Sequence, residues 1–163
     1  MPFQYTKKVM KYFMNPKNPG KIKNADGIGR VGNISCGDIM QIYIKVGKKK
    51  IKAKGKINEE EIIKDIKFET LGCPAAIATS SIVTELAKGK TIKEALKITN
   101  KDVVNALGGL PPIKHHCSLL AEDGLAESIY NYMKKSGKEI PKELEQRHRR
   151  IVSGEEAFHK KFK

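Results

Sequence analysis

The order of apolar and polar positions along the chain predicts a short helix, then strands, then a run of helices. Residues 4–14 place apolar side chains at helical spacing before an Asn-Pro pair ends the run. Residues 38–46 instead alternate, with Ile42 and Ile44 on one face, which is typical of a strand. The full set of strand candidates is residues 28–34, 38–46 and 61–70, the last with a helical alternative.

The second half of the chain has the spacing of helices. Pro74 suits the first turn of a helix over residues 74–87, and Thr91 provides an N-cap for the next helix. The remaining helix candidates are residues 101–107, 118–135 and 142–152. This order predicts an α+β fold, a small antiparallel three-stranded sheet with helices packed on one face, an N-terminal helix and an extra C-terminal helix. We divide the chain into a domain of residues 1–136 and a basic helical C-terminal extension of residues 137–163.

Composition restricts the classes of function. The 163 residues include 32 Lys and Arg against 18 Asp and Glu, which gives a formal charge of +14, and 39% of them are hydrophobic. This balance is typical of a globular chain rather than a disordered one. No apolar run approaches the roughly 18 residues of a membrane helix, and Lys11 interrupts the one apolar patch near the N-terminus. We therefore expect a cytoplasmic protein with no membrane partner.

The positive charge lies outside the stretches that contain the cysteines. Residues 1–30, 45–67 and 134–163 hold 26 of the 32 basic residues. Basic runs can contact phosphates, but these contain few aromatic residues and no familiar recognition motif. A solvated surface is the favoured interpretation, and nucleic-acid binding is disfavoured.

One glycine motif is set aside. Residues 27–32 match the GxGxxG pattern of dinucleotide-binding proteins. A true fingerprint follows a strand, opens a helix and has an acidic residue about 20 positions later. Here a loop precedes the motif, a strand-like stretch follows it, and the position 20 residues after Gly32 is Lys52. We interpret these residues as turn glycines.

The three cysteines all lie at predicted element boundaries. Cys36 is in a turn between two strands, Cys73 is at the N-cap of a helix, and Cys117 opens the last long amphipathic helix. No CxxC pair exists, and an odd count leaves no complete set of internal disulfides. Thiolates are soft ligands for iron–sulfur clusters, zinc or Cu(I), and a tetrahedral zinc site needs a fourth ligand. Asp38 and His116 are the two candidates, although each could simply be a polar residue of a turn or surface.

Three segments resemble the cysteine motifs of the U-type iron–sulfur cluster scaffold family, which comprises the standalone IscU group and the N-terminal domain of NifU. The segments are Ser35-Cys36-Gly37-Asp38-Ile39-Met40, then Leu71-Gly72-Cys73 with Ala75 to Ser81, and finally Leu110-Pro111-Pro112-Ile113-Lys114 with His116-Cys117-Ser118 and Leu120 to Asp123. They occur in the family's order, and the similarity runs from about residue 4 to about residue 135.

The resemblance implies a scaffold rather than an enzyme. A 2Fe–2S cluster would be assembled on it, with sulfur delivered as persulfide by a cysteine desulfurase, and would then pass to acceptor apoproteins. The implied ligands of the cluster, or of a zinc ion, are Cys36, Cys73 and Cys117, together with Asp38 or His116. Cys117 is the implied persulfide acceptor, and an Hsp70-type chaperone would read the segment Leu110, Pro111, Pro112, Ile113 and Lys114.

Two departures from the family pattern accompany the resemblance. Pro74 stands where the family usually has Gly, and residues 47–58 are longer than usual, which predicts an enlarged hairpin. The rival interpretation is a zinc-dependent sulfurtransferase of the SufU-like branch, which would be an enzyme. That branch has its insertion between the second and third cysteines, whereas the extra residues here lie between the first and second. The scaffold is therefore favoured.

Overall fold

The computed structural model describes residues 4–32 and 37–161, with side chains through residue 154. Its helices are α1 (Lys7–Met14), α2 (Pro74–Ala87), α3 (Ile92–Ala95), α4 (Asn100–Ala106), α5 (His115–Lys135) and α6 (Lys142–Lys161), with a 3₁₀ turn at Pro112–Lys114. Its strands are β1 (Gly27–Gly32), β2 (Ile39–Ala53) and β3 (Lys56–Leu71). This arrangement confirms the predicted α+β fold class.

The sheet is antiparallel, in the order β1–β2–β3. β2 and β3 form a long hairpin closed by a two-residue turn at Lys54 and Gly55, so the predicted hairpin extension is present. β3 is longer than the predicted strand because its first residues are polar. In that stretch the lysines at 48–50 lie opposite the glutamates at 59–61, and such opposite-charge pairs stabilise strands without any apolar alternation.

The core lies between one face of the sheet and the helices. Met40, Ile42 and Ile44 alternate along β2 and are fully buried, as are Ile63 and Ile66 of β3. The alternating pattern buries one side of the strand and leaves the other to polar residues. Helices α2 and α5 pack on the buried face.

The residues of the GxGxxG motif form β1 itself, so the interpretation as turn glycines was wrong. A Cβ atom on Gly27 would lie 2.1 Å from the carbonyl oxygen of Ser128, and one on Gly29 would lie 2.3 Å from that of Gly124. Only glycine leaves room for the backbone of α5 to approach the strand so closely. The motif therefore serves helix–sheet packing.

Helix α2 begins and ends where its sequence predicts. Cys73 is the N-cap, Pro74 occupies the first turn, and the chain leaves the helix at Lys88 before a left-handed Gly89. Most residues of the helix are buried, and many of their side chains are small. Thr79 and Ser80 donate their hydroxyl hydrogens to the carbonyl oxygen of Ala76. These internal hydrogen bonds satisfy polar groups that would otherwise be costly to bury.

Helix α6 packs against α5 through charged residues, and its Leu144 and Ile151 place apolar side chains against the core. Leu144 is buried, Arg147 donates to Glu122 at 2.8 Å, and His148 lies 2.7 Å from a carboxylate oxygen of Glu127. The His148 ring also stacks on Tyr130 with centroids 3.7 Å apart. The C-terminal extension is thus helical and basic along the side that faces α5. The division of the chain at residue 136 stays a prediction.

None of the described helices combines the length and the apolar character that crossing a membrane requires.

Candidate metal and sulfur site

Three distant segments of the chain meet at one end of the sheet. Asp38 immediately precedes β2, Cys73 caps α2, and His116 and Cys117 lie in the first turn of α5. β2 and β3 are paired in the register Ile39 opposite Leu71, which places the beginning of one strand beside the end of the other. The fold, rather than local sequence, therefore brings these side chains together.

Each of the four side chains has a donor atom within 3.9 Å of at least two of the others. The sulfur atoms of Cys73 and Cys117 are 3.8 Å apart, and they lie 3.8 and 3.7 Å from Oδ2 of Asp38. Nε2 of His116 is 3.5 Å from the Cys117 sulfur and 3.9 Å from the same carboxylate oxygen. One carboxylate oxygen thus faces all three of the other donors.

These separations suit ligands that share one ion. With zinc–sulfur bonds of about 2.3 Å, two ligands of a tetrahedral ion stand about 3.8 Å apart. Asp38, His116 and Cys117 together form a group of donor atoms that all lie within 4.8 Å of one another. The donor set mixes soft sulfur with a harder carboxylate and imidazole, which suits zinc or iron rather than calcium or magnesium.

The site is buried on the protein side and open on the other. Cys117 is fully buried and Asp38 is 5% exposed, while Cys73 is half-buried and the His116 side chain retains 28% of its exposure. Leu71, beside Cys73 in the chain, is 73% exposed. A bound group would therefore rest on Asp38 and Cys117 and remain reachable from the side of Cys73 and His116.

Two further side chains, Tyr5 and Lys114, lie close enough for the negative charge of the cysteine thiolates to change their pKa values. Burial raises the pKa of Tyr5, and the charge of Cys73 raises it further. Burial alone would lower the pKa of Lys114, but the negative charges of Cys73, Tyr5 and Cys117 together outweigh it, so that the pKa lies above its ordinary value. The site thus includes a cation next to its two sulfur atoms.

Gly72 allows Asp38 to reach Cys73. A Cβ atom at Gly72 would lie 2.7 Å from Oδ1 of Asp38 and 2.9 Å from the Cβ of Ala76. Any side chain here would push the carboxylate away from the sulfur atoms or shift the first turn of α2. The sequence motif contained Gly72, but only the structure reveals its steric role.

Four of the five predicted ligands are brought together, and the fifth, Cys36, lies outside the described residues. The neighbouring His115 points elsewhere, with its Nε2 3.1 Å from the carbonyl oxygen of Leu110. Cys117 lies inside the first turn of α5 rather than ahead of it, because this helix begins at His115 and not at residue 118 as predicted.

The predicted chaperone segment forms the loop and 3₁₀ turn before α5. Leu110 is buried, whereas Pro112 is exposed and Ile113 retains 67% of its exposure. Lys114, the last residue of the segment, contacts the thiols, a role that sequence reasoning missed. In the sequence, only its position two residues before His116 pointed to this proximity. The path of the 3₁₀ turn is needed to show that the side chain lies near the cysteines.

The model of the NifU-like N-terminal domain family matches residues 4–139. The chain belongs to this family of U-type iron–sulfur cluster scaffolds. It is 56% identical over 134 residues to an iron–sulfur cluster assembly scaffold protein IscU of Archaeoglobus fulgidus, a match that covers 82% of this chain and 80% of the relative. It is 44% identical over 138 residues to the IscU scaffold protein of Aquifex aeolicus, covering 85% of this chain and 82% of the relative.

Solved structures agree with this U-type assignment. A protein of Fervidobacterium islandicum, assigned as an iron–sulfur cluster assembly scaffold for the SUF system, is 28% identical with a TM-score of 0.55. The match covers 77% of this chain and 96% of that protein. A NifU-like N-terminal domain from Brucella abortus, at 19% identity and a TM-score of 0.56, shares the fold over 80% of this chain and 94% of its own.

The match to the U-type family model ends at residue 139, before α6 begins. The higher identity to IscU proteins than to the SUF-system protein favours the scaffold over the zinc-dependent sulfurtransferase.

Proposed function

We propose that the protein is a scaffold on which a 2Fe–2S cluster is assembled from iron and desulfurase-derived sulfur, and from which the cluster is transferred to acceptor apoproteins. The observation that carries this proposal is the convergence of Asp38, Cys73, His116 and Cys117, in which neighbouring donor atoms lie 3.5–3.9 Å apart. Their names give the relatives from Archaeoglobus and Aquifex the same role. In this proposal Cys36 joins these four residues as a ligand.

Cys117 is the proposed acceptor of sulfur. Its sulfur, as thiolate, attacks the outer sulfur atom of a persulfide on the desulfurase. The sulfur–sulfur bond of the donor breaks, a new one forms on Cys117, and the desulfurase cysteine leaves as thiolate. Lys114 lies beside the cysteines and provides a positive charge for the anionic persulfide. Conversion of this sulfur to the sulfide of a cluster then requires two electrons from an external reductant.

The mixed donor set suits a group that must leave again. A store would benefit from four thiolates, whereas a carboxylate or an imidazole binds a soft iron–sulfur unit less tightly. Asp38 touches every other donor, so its displacement would loosen the whole set. The same residues could hold a zinc ion in the isolated protein, and we regard the protein as a carrier rather than an enzyme.

The proposed partners follow from the same site. They are a cysteine desulfurase, acceptor apoproteins and an Hsp70-type chaperone that reads Leu110 to Lys114. The exposed Ile113 and Pro112 offer this chaperone an apolar contact next to the thiols. We place the work of the protein in the cytoplasm.

Anaerobic reconstitution tests the proposal, using the full-length protein with ferrous iron, cysteine and a purified cysteine desulfurase. Visible absorbance and iron and sulfide analysis should report two irons and two sulfides for each cluster. His116→Ala should lower cluster yield or lifetime several-fold. His115→Ala is the matched control, since its imidazole points to Leu110, and it should behave as the wild-type protein does.

Two results would overturn the scaffold. In the first, His116→Ala and Cys117→Ser both assemble the cluster as well as the wild-type protein does. In the second, the protein keeps one zinc ion, takes up sulfur from the desulfurase and never yields an iron chromophore. That outcome would favour the zinc-dependent sulfurtransferase.

A further inference from the structure

The tip of the β2–β3 hairpin is a basic surface that the cluster chemistry does not use. We define the tip as residues 51–58, which include Lys52, Lys54 and Lys56 and no acidic residue. Every residue from 52 to 58 is exposed. The strand rise of about 3.3 Å per residue puts the end of β2 about 45 Å from its beginning beside Asp38. The tip and the thiols therefore lie at opposite ends of the hairpin.

The lysines of the hairpin fall into two groups. Lys48, Lys49 and Lys50 lie opposite Glu61, Glu60 and Glu59, so each has an acidic cross-strand neighbour. Beyond them, Lys52 lies opposite Ile57 and Lys56 lies opposite Ala53. Positive charge is thus balanced where the hairpin leaves the domain and unbalanced at its tip. Like charges gathered in this way repel one another unless an anion lies between them.

The turn residue strengthens this observation. Lys54 has φ of +52° and Gly55 has φ of +75°, which together form a type I′ turn. The first position of such a turn favours Asn, Asp or Gly, because a longer side chain is strained there. Lysines on an exposed strand edge also prevent unwanted strand pairing, but a turn residue presents no edge. The sequence therefore keeps an ammonium group at the apex despite strained backbone.

We propose that the hairpin tip binds the phosphodiester backbone of duplex DNA. Protein interfaces are depleted in lysine and rely on aromatic residues and arginine, and the tip has neither. Lysines that act as separate point charges suit phosphates. A two-stranded ribbon fits the major groove of B-form DNA, about 12 Å wide, but not the deep and narrow major groove of duplex RNA. The overall charge of +14 adds long-range attraction.

This function is independent of the cluster chemistry and does not rest on it. Because the tip lies about 45 Å from Asp38, DNA bound there would leave the thiols accessible to protein partners. The sequence alone disfavoured nucleic acid for lack of aromatic residues. The hairpin geometry changes that assessment, since a backbone contact in a groove requires no base stacking.

Fluorescence anisotropy with a mixed-sequence duplex DNA of 20 base pairs tests the proposal, with KCl varied from low to physiological concentration. The tip variant is Lys52→Gln, Lys54→Asn and Lys56→Gln combined, in which Asn also suits the turn and favours folding. The matched control is Lys93→Gln, Lys97→Gln and Lys135→Gln combined, which removes the same charge from exposed positions in or just after helices.

The tip variant should bind DNA at least tenfold more weakly at low salt. The slope of log affinity against log salt should fall by up to ~2.7, since each lost phosphate contact removes ~0.9. The control should lose less than threefold. Equal losses of DNA affinity in the two variants would mean that net charge, and not the tip, accounts for binding, and would overturn the proposal. The absence of DNA binding by the wild-type protein at low salt would overturn it as well.

Two further probes distinguish other polyanions. A fluorescent oligoglutamate that binds the tip more tightly than DNA would replace DNA with an acidic protein partner. Duplex RNA bound as tightly as DNA, with the same dependence on the tip, would refute the groove contact. Normal cluster reconstitution in the tip variant verifies that the variant is folded.

Discussion

Helix α5 buries polar side chains in two different ways along its length. In its middle, Glu122 and Glu127 each meet a cationic or imidazole group of α6 at 2.7–2.8 Å. In its first turn, Cys117 lies 3.7 Å from Asp38 and 3.8 Å from Cys73, and His116 lies 3.9 Å from Asp38. The middle is a set of direct pairs, whereas the first turn is a set of donors spaced to share a common partner. Close ion pairs stabilise a fixed structure, whereas donor atoms spaced more widely leave room for a metal ion between them.

The largest effect is expected at the first turn. Cys117→Ser replaces a soft thiolate with a hydroxyl and should reduce zinc affinity at least 100-fold, measured by competition with a chelator. Unfolding free energy should change little. Ser118→Ala, next in the chain and also buried, is the control, and its zinc affinity should stay within threefold of the wild type. A similar loss in both variants would mean that the first turn is structural and that the contrast does not hold.

The second effect is expected in the middle of α5. Arg147→Met removes the cation from Glu122, a carboxylate whose other oxygen accepts from the backbone N–H of Asn100 at 3.2 Å. Leaving this buried charge without its cation should lower the free energy of unfolding by about 1–3 kcal/mol in urea denaturation. Zinc affinity should be unaffected.

Arg149→Met is the matched control for this pair. Arg149 is 76% exposed and pairs with Glu145 on its own helix at 3.5 Å. Its loss should cost no more than about 0.5 kcal/mol. If the two arginine variants have the same free energy of unfolding, the contact between Arg147 and Glu122 does not contribute to stability.

Much of this contrast could be predicted from the sequence, but not all of it. The bounds of α2 followed from Pro74 and the small buried residues, and the donors of the site followed from the cysteine motifs. The sequence did not reveal Lys114 as a neighbour of the thiols, because that contact depends on the turn between α4 and α5. It also underestimated α5, since His115 and His116 carry no apolar periodicity. The pairing of α6 with α5 joins residues more than 20 positions apart, which no local pattern reports.

A third prediction concerns release from the first turn. Asp38→Ala removes a carboxylate oxygen that lies 3.7–3.9 Å from the donor atoms of Cys73, His116 and Cys117, and cluster transfer to a purified apo-ferredoxin should slow about tenfold while assembly persists. Circular dichroism at 420 nm can follow the transfer. Asp65→Ala, at a half-buried position of β3 outside the site, should transfer at the wild-type rate. Unchanged kinetics in Asp38→Ala would remove the carboxylate from the release step.

The smallest effect is a pH dependence at the far end of α5. Burial alone would raise the pKa of Glu61, but hydrogen bonds from Lys138 and Tyr132 hold it below its ordinary value. A lowered carboxyl pKa stabilises the folded state above the unfolded-state value, and this contribution disappears as pH falls through the folded value. The difference in melting temperature between the wild type and Glu61→Gln should therefore be constant above about pH 5 and shrink below about pH 4.

Glu59→Gln is the control for this titration. Glu59 lies on the exposed part of the same strand and pairs only loosely with Lys48, at 3.6 Å. Its melting-temperature difference from the wild type should be close to zero at every pH. A difference for Glu61→Gln that does not vary with pH would mean that packing, and not charge, holds Tyr132 and Lys138 in place.

The glycines of β1 have a consequence for the chemistry at the other end of the helix. Gly29 admits the backbone of α5 at Gly124, and Gly124 in turn leaves room for Ile42 of β2. Because the two backbones are in such close contact at these glycines, a shift of the helix along the sheet would bring side chains into collision. The distance from Asp38, at the start of β2, to Cys117 on α5 is therefore set by a contact nearly two helical turns away. The glycines of β1 thus help to fix the spacing of the metal-binding residues, although β1 itself supplies no ligand.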